Sequence, residues 1–152
     1  EALQGKVVID KPNDDAKNDN TLERIMNELG ESEEFVRDLL NGKQDVFIAQ
    51  CRNFYDSPYT KKGEPCGEPW MCFECKNAIW TSRILPRLLK FLDFLEEQRQ
   101  ILSAVDWHAK FHKPWSSIKY GIMPRFDEER IEASRLLAEA EQLYVPLHWK
   151  TT

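Results

Sequence analysis

The residues with the clearest capacity for chemistry are four cysteines, Cys51, Cys66, Cys72 and Cys75, spaced C-x14-C-x5-C-x2-C. Cys72 and Cys75 form a CxxC knuckle, and two thiolates on so tight a turn can chelate one ion from the same side. Cys51 and Cys66 supply the other two corners of a tetrahedron. The spacing predicts a structural zinc site with four thiolate ligands.

Other uses of the four cysteines stay open. They can be buried as small hydrophobic residues, or four thiolates can hold an iron–sulfur cluster. Two disulfides are a further alternative, although a CxxC is an unusual structural disulfide and the N-terminus lacks a secretory signal pattern. A cysteine nucleophile would need a thiol pKa lowered by a histidine or a helix N-terminus. Because the cysteines cluster, ligation is favoured, so we assign no catalytic residue and expect no enzyme activity in this chain.

The segment that carries the cysteines is rich in residues that form turns and interrupt helices and strands. These residues are Pro58, Gly63, Pro65, Gly67 and Pro69. We therefore expect a loop that backbone hydrogen bonds alone cannot order and that a bound metal would clamp.

The longest predicted helix follows this loop and runs from Thr81 or Ser82 to about Leu102, with Pro86 tolerated in or near its first turn. Its apolar residues recur at helical spacing and should form the spine of the core. They are Ile84, Leu85, Leu88, Phe91, Leu92 and Leu95. The predicted fold class is mostly α: a small helical domain around one long helix, with a Pro/Gly-rich loop clamped by a four-cysteine metal site.

Local signals predict the remaining elements. Before the cysteines we expect a short strand at 6–9 and a mobile linker at 11–20. A helix at 21–29 should follow, capped by Asn20 and closed by Gly30. We then expect a helix at 33–40 capped by Ser32 and a short helix at 45–50. Later we expect a helix from Ser103 to about His112, another at 115–123 opened by Pro114, and one from Glu128 to about Tyr144 with apolar positions at Ile131, Leu136, Leu137 and Leu143. The domain division is 1–20, strand and linker; 21–145, helical metal-binding domain; and 146–152, tail.

A basic stripe is predicted on the long helix. The chain has a net charge of −5, yet residues 52–90 carry 7 basic residues against 4 acidic ones. Arg83, Arg87 and Lys90 fall within an arc of about 60° away from the apolar stripe, and Phe94 follows the same line. These four residues form either a surface that binds DNA or a protein partner, or a charged face whose aromatic residue is covered by a neighbouring helix. If the charges are exposed, changing all three to Glu should leave the melting temperature nearly unchanged.

His108 and His112 are spaced i, i+4, as in a two-histidine metal arm. No carboxylate stands where a zinc hydrolase needs one, so we interpret both, and His148, as ordinary side chains. No apolar run has the length of a membrane span, and no glycine-rich phosphate loop is present. We expect a cytoplasmic protein without a membrane partner or a small-molecule substrate.

Several short motifs occur in a distinctive order: Asp56-Ser57-Pro58-Tyr59, Gly63-x-Pro65-Cys66, Trp70-x-Cys72-x-x-Cys75-x-Asn77-Ala78, Leu85-Pro86-Arg87-Leu88-Leu89 and Gly121-Ile122-x-Pro124-Arg125-Phe126. Over about residues 22–135 this order resembles the cysteine-containing C-terminal region of tyrosine-recombinase-like (phage-integrase-type) proteins of bacterial mobile elements. The resemblance implies a DNA-cleaving core upstream, with an Arg, a His-x-x-Arg motif and a tyrosine nucleophile.

No catalytic residue is carried over, because Leu29-Gly30-Glu31-Ser32 has Glu where the recombinase motif has His. The chain starts at Glu1 rather than Met, so we expect it to be part of a longer protein. The resemblance implies a non-catalytic zinc-binding accessory module of a site-specific DNA integrase. Through its parent protein it would contact DNA, or it would bind another protein, including a second recombinase subunit. The alternative is a free-standing zinc-stabilised protein-interaction domain unrelated to DNA.

Overall fold

The computed structural model describes residues 3–10, 14, 16–66 and 69–142. In this part of the chain helices predominate over strands, which confirms the prediction of a mostly α fold. The helices are α1 Asp19–Leu29, α2 Glu33–Leu40, α3 Leu85–Ile101, α4 Ala104–Ser116 and α5 Glu128–Ala138. The strands are β1 Lys6–Val7, β2 Gln50–Cys51 and β3 Ala78–Trp80.

The first two helices are set by their caps. Asn18, not Asn20, caps α1: its side chain accepts hydrogen bonds from the backbone N–H groups of Asn20 (2.9 Å) and Thr21 (3.3 Å). The helix thus begins inside the segment predicted as a linker. Gly30 closes it in the left-handed conformation at φ 68°, as predicted. Ser32 caps α2 by accepting from the Phe35 N–H at 3.2 Å, also as predicted.

The long helix is the spine of the core, as the apolar spacing predicts. A 3-10 turn, Ser82–Ile84, leads into α3, and the Thr81 side chain caps that turn by accepting from the Arg83 N–H. Pro86 lies in the first turn of α3, where a helix does not need its missing N–H. All six predicted core residues are buried: Ile84, Leu85, Leu88, Phe91, Leu92 and Leu95.

A small sheet joins distant parts of the chain. β3 is its central strand, parallel to β1 and antiparallel to β2. Successive side chains of a strand point to opposite faces. Accordingly, Trp80 packs with α3 and α4, whereas Ile79 packs with α1 and α2. Of the strand predicted at 6–9, only Lys6–Val7 forms a strand. Val7 and Val8 are buried, one in each cluster, whereas Lys6 and Ile9 are exposed.

The helix predicted at 45–50 is wrong. The segment bends, and Asp45 forms an isolated antiparallel bridge with Gln50 of β2. The Ala49 carbonyl accepts from the Val46 N–H at 3.0 Å within the segment, and three other carbonyl groups accept from distant side chains. The Arg87 guanidinium donates to the carbonyl oxygens of Val46 and Phe47, and the Trp80 indole N–H donates to that of Ile48 at 3.1 Å.

The predicted break at Pro114 is also wrong. α4 contains Pro114 and continues into a π-helical segment, Ser117–Ile122, and a 3-10 turn, Met123–Arg125. A proline inside a helix removes one backbone hydrogen bond. Here one apolar face is buried on both sides of the proline, and this packing offsets that loss. The buried residues of this face are Trp107, Phe111, Pro114, Trp115, Ile118 and Ile122.

α5 is shorter than predicted and buries a different face. Its described part ends at Ala138, and Leu136 and Leu137 are 76% and 62% exposed. Ser134 and Ala138 are buried instead, since small side chains let α5 approach α3 closely. Ile131 packs partly against the core, as expected. Leu143 and the tail at 146–152 lie outside the described residues. No helix in the described ranges is long and apolar enough to cross a membrane.

Candidate metal centre

All four cysteines line one small cavity of about 20 Å³. They reach it from three segments: Cys51 ends β2, Cys66 lies in the Pro/Gly-rich loop, and Cys72 and Cys75 belong to the knuckle at the 3-10 helix Pro69–Glu74. The cavity is otherwise largely apolar, with Val46, Phe47, Phe54, Met71 and Ala78 among its lining residues. All four cysteines are free, so the structure contains no disulfide between them.

The strands β2 and β3 bring two similar tripeptides face to face. Cys51 pairs with Ala78, and the Arg52 N–H donates to the Asn77 carbonyl at 2.9 Å. Residues 51–53 read Cys-Arg-Asn and residues 75–77 read Cys-Lys-Asn. In each, the backbone N–H of the asparagine donates to the cysteine sulfur, at 3.4 Å from Asn77 to Cys75. At Cys51 this bond lowers the pKa of the thiol, although burial raises that pKa by more.

Sequence reasoning missed this contribution of Asn53 and Asn77. The repetition of the tripeptide Cys-basic-Asn is the sequence signal from which these hydrogen bonds to sulfur could have been predicted. The Asn77 side chain also donates to the Asp56 carbonyl at 3.0 Å, which ties the knuckle to the preceding loop.

The knuckle is fixed to the core through one of its middle residues. Phe73, between the two cysteines, is 1% exposed and stacks between Trp80 and Phe91, with ring centroids 5.9 and 6.5 Å away. The Cys75 N–H donates to the Cys72 carbonyl at 3.3 Å and closes the turn. The backbone bearing two of the four sulfurs is thus held by the same aromatic residues that build the core around α3.

The Pro/Gly-rich loop is ordered by more backbone hydrogen bonds than its sequence suggests. The Cys66 N–H donates to the Phe54 carbonyl, and the Gly63 N–H donates to the Tyr55 carbonyl, both at 3.0 Å. Gly63 has φ 89°, a conformation that glycine adopts without strain. The Tyr59 hydroxyl donates to the Glu74 carbonyl at 3.1 Å. The loop closes on itself and on the knuckle, and the expectation that backbone hydrogen bonds alone cannot order it stays a prediction.

The thiols lie in an environment that disfavours isolated negative charge. Burial raises the pKa of the Cys51 thiol and, more strongly, that of the Cys72 thiol. The neighbouring sulfurs of Cys51, Cys66 and Cys75 raise the pKa of Cys72 further. Thiolates at these positions therefore require a compensating cation. A nucleophilic cysteine needs the opposite shift.

The sulfurs share a cavity without adopting a ligand arrangement. Within the described residues, no three Cys, His, Asp or Glu side chains are placed to hold one metal ion. The donor set suits a metal in kind and number, and zinc binding by Cys51, Cys66, Cys72 and Cys75 stays a prediction.

The predicted basic stripe is largely engaged in internal contacts. Arg83 pairs with Asp45 at 3.1 Å, and Arg87 donates to the Val46 and Phe47 carbonyls. Both arginines thus hold the segment that leads into Cys51. A β-carbon at Gly42 would collide with the Arg83 guanidinium, so the glycine makes room for it.

Phe94 is half-buried, at 6.2 Å from the Phe91 ring and 5.9 Å from the Phe111 ring of α4. Lys90 is half-buried. These positions match the interpretation of a charged face whose aromatic residue is covered by a neighbouring helix. Binding of DNA or a partner by Arg83, Arg87, Lys90 and Phe94 stays a prediction.

The histidine pair packs against aromatic rings. The rings of His108 and His112 stack at 4.2 Å, and His112 also lies against Trp107 and Trp115. His148 lies outside the described residues.

Comparisons of the chain with protein-family models, with curated proteins and with solved structures find no match.

Proposed function

We propose that the chain is a non-catalytic zinc-binding accessory module of a site-specific DNA integrase, which contributes DNA contact or protein–protein interaction. The observation that supports the proposal is the convergence of the four cysteines on one cavity from three separate segments. The resemblance of residues 22–135 to the cysteine-containing region of phage-integrase-type proteins supplies the biological context.

Cys51, Cys66, Cys72 and Cys75 would hold the ion. A structural zinc site is closed and tetrahedral, with sulfurs about 2.3 Å from the metal. The cation would stabilise thiolates that burial disfavours. The ion would contribute folding energy and no reaction chemistry.

Metal content and metal-dependent stability test this proposal. We expect about one zinc per chain by elemental analysis of protein purified with ordinary metal supply. Cys72→Ser and Cys75→Ser should each lower the free energy of unfolding by several kcal/mol, because metal binding is coupled to folding. In excess chelator, wild type and variants should become similar in stability, which separates the role of the metal from that of the side chain.

A folded protein with four free thiols and no metal would contradict the zinc site. A visible absorption band that is lost on oxidation would favour an iron–sulfur cluster instead.

A second candidate is a free-standing zinc-stabilised protein-interaction domain. Leu136 and Leu137, adjacent and exposed on α5, are the observation that favours it, because they would offer an apolar contact to a protein partner without DNA. The parent reading frame separates the two candidates. A recombinase core upstream of Glu1 supports the integrase module, and a reading frame without one supports the second candidate.

A further inference from the structure

We propose that Asn41 deamidates spontaneously to isoaspartate and that this modification loosens the turn that precedes Cys51. Of the seven asparagines in the chain, Asn41 is the one that a glycine follows. It lies at the C-terminal cap of α2, and its side chain is exposed. The inference goes beyond the proposed function and does not depend on a bound metal.

The reaction needs only the two neighbouring residues and water. The backbone nitrogen of Gly42 loses its proton and attacks the side-chain carbonyl carbon of Asn41, and the amide nitrogen leaves as ammonia. Water then opens the resulting succinimide ring at either of its carbonyl carbons. Opening at the side-chain carbonyl gives aspartate, whereas opening at the backbone carbonyl gives isoaspartate, in which the chain runs through the β-carbon. One water molecule is consumed for each ammonia released.

The end of α2 leaves Asn41 open to this attack. Gly42 has no β-carbon, so its nitrogen is unhindered and its backbone rotates at low cost. Within the described part of the chain, the Asn41 side chain makes no hydrogen bond that would hold its amide in place. The Gly42 N–H donates to the Leu39 carbonyl in a long bond of 3.4 Å. The attack requires rotation about ψ of Asn41 from its value of 1°, which a fraying helix end permits.

Other asparagines lack this combination of features. Asn27 is also exposed, but it lies inside α1 and Glu28 follows it. The Asn77 side chain donates to the Asp56 carbonyl at 3.0 Å, which holds its amide in place. Asn27 is therefore an internal control for Asn41: an exposed amide in the same chain, without the glycine.

The isoaspartate product does not fit the turn at Gly42. Gly42 has φ 89°, and a β-carbon there would collide with the Arg83 guanidinium, so the backbone and this side chain are closely packed. Arg83 pairs with Asp45 at 3.1 Å, and the Asp45 N–H donates to the Gly42 carbonyl at 3.2 Å. An additional methylene in the backbone at position 41 therefore displaces Gly42 against both Arg83 and Asp45.

The same turn is hydrogen-bonded to Cys51. The Cys51 N–H donates to the Gln44 carbonyl, and the Gln44 side-chain amide donates to the Cys51 carbonyl, both at 2.8 Å. A displacement of the turn therefore reaches the backbone of a residue whose thiol lines the cysteine cavity. The modification also places a carboxylate at the C-terminus of α2, where the helix dipole disfavours negative charge.

Peptide mapping by mass spectrometry tests the modification. Folded protein is incubated in mildly alkaline buffer made with heavy-oxygen water, which marks each residue that deamidates during the incubation. Asn41 should convert at least about tenfold faster than Asn27, because glycine leaves the attacking nitrogen unhindered. A protein isoaspartate methyltransferase should methylate the same peptide, which identifies the isoaspartate form. Asn41→Gln should block the reaction, since the longer side chain would have to form a larger ring.

Hydrogen exchange of the protein as purified tests the loosening. Modified chains are first separated from unmodified ones by ion exchange through their added charge. The backbone N–H groups of residues 43–51 should exchange severalfold faster in the modified protein, whereas those of α5 should be unchanged. Asn41→Gln, incubated in the same way, is the matched control and should exchange like its fresh form. Fresh Asn41→Asp carries the charge without the longer backbone and should exchange more slowly than the modified wild type.

Two results would overturn the inference. Conversion of Asn41 no faster than that of Asn27 would show that the end of α2 holds the amide too rigidly. Unchanged exchange at residues 43–51 in modified protein would show that the turn accepts the longer backbone. If Asn41→Gln melts far below wild type, fresh wild-type protein takes its place as the control. Since both measurements are made without reference to zinc, failure of the metal site leaves this inference unaffected.

Discussion

Phe73 shows how one side chain can link the cysteine cluster to the core. It lies inside the CxxC knuckle, yet its ring stacks between Trp80 of β3 and Phe91 of α3. The backbone on either side of it carries Cys72 and Cys75. The position of two of the four sulfurs therefore depends on an apolar contact as well as on any ion.

Phe73→Ala should lower the free energy of unfolding by about 3–5 kcal/mol, the usual effect of deleting a fully buried aromatic ring. It should also speed the loss of metal to a chelator, since the knuckle would no longer be anchored. Urea unfolding at saturating zinc measures the first effect, and a colorimetric zinc-release assay measures the second. Tyr55→Ala, on an exposed loop residue, is the control and should change stability by less than about 0.5 kcal/mol. Equal stability of the two variants would contradict the anchoring role.

At the scale of elements, α3 organises the cysteine cluster by holding the segment before β2. Arg87 binds two carbonyls of that segment, Arg83 binds Asp45, and Trp80, just before the turn into α3, binds the Ile48 carbonyl. The segment therefore follows the surface of α3 and delivers Cys51 to the sheet. The earlier expectation was that changing Arg83, Arg87 and Lys90 to Glu would leave the melting temperature nearly unchanged if the charges were exposed. The contacts of Arg83 and Arg87 lead to a different expectation.

Arg87→Ala should destabilise the protein by about 1.5–3 kcal/mol, because it removes charge-assisted hydrogen bonds and leaves two carbonyls unpaired. Lys90→Ala, three residues later on the same helix, should have an effect of less than about 0.5 kcal/mol. Chemical unfolding of both variants at saturating zinc checks the contrast. A triple change of Arg83, Arg87 and Lys90 to Glu should accordingly lower the melting temperature. If that melting temperature stays near the wild-type value, the internal role of the arginines is refuted.

At the scale of the whole molecule, a polar cluster ties the N-terminal strand to both the first turn before α3 and α5. The Asp10 carboxylate accepts hydrogen bonds from the Ser82 backbone N–H at 2.8 Å and from the Ser82 hydroxyl. Arg130 of α5 donates to the Asp10 carboxylate at 3.3 Å and to its carbonyl at 3.2 Å. Residues more than a hundred positions apart in sequence thus share one partly buried site.

Arg130→Ala should cost about 3 kcal/mol, because the Asp10 carboxylate loses its positive partner and keeps only the Ser82 donors, in a site where the Arg130 and Asp10 side chains are 18% and 11% exposed. Arg135→Ala is the matched control on the same helix. Its pair with Asp93 has side chains 45% and 58% exposed, so its loss should cost at most about 1 kcal/mol. Thermal and urea unfolding of the two variants measure the difference. Similar costs would show that burial does not govern these pairs.

The sequence by itself determined the features that depend on local rules. The caps at Ser32 and Gly30, the helix from about residue 82 to 101 and its six buried apolar residues follow from side chains within a few positions of one another. The sequence also predicted that the four cysteines lie together, because the CxxC spacing itself favours a shared site.

The tertiary structure alone decided which faces meet neighbours. Helical periodicity places Arg83 and Arg87 on a face that meets solvent or a partner, and in the structure the segment before Cys51 lies against this face. Pro114 continues a helix because the apolar face on both sides of it is buried, and Leu136 is exposed because the smaller Ser134 packs inward. Periodicity specifies which residues share a face of a helix. Whether that face is buried depends on elements far away in sequence, because the packing energy of these contacts exceeds local propensity.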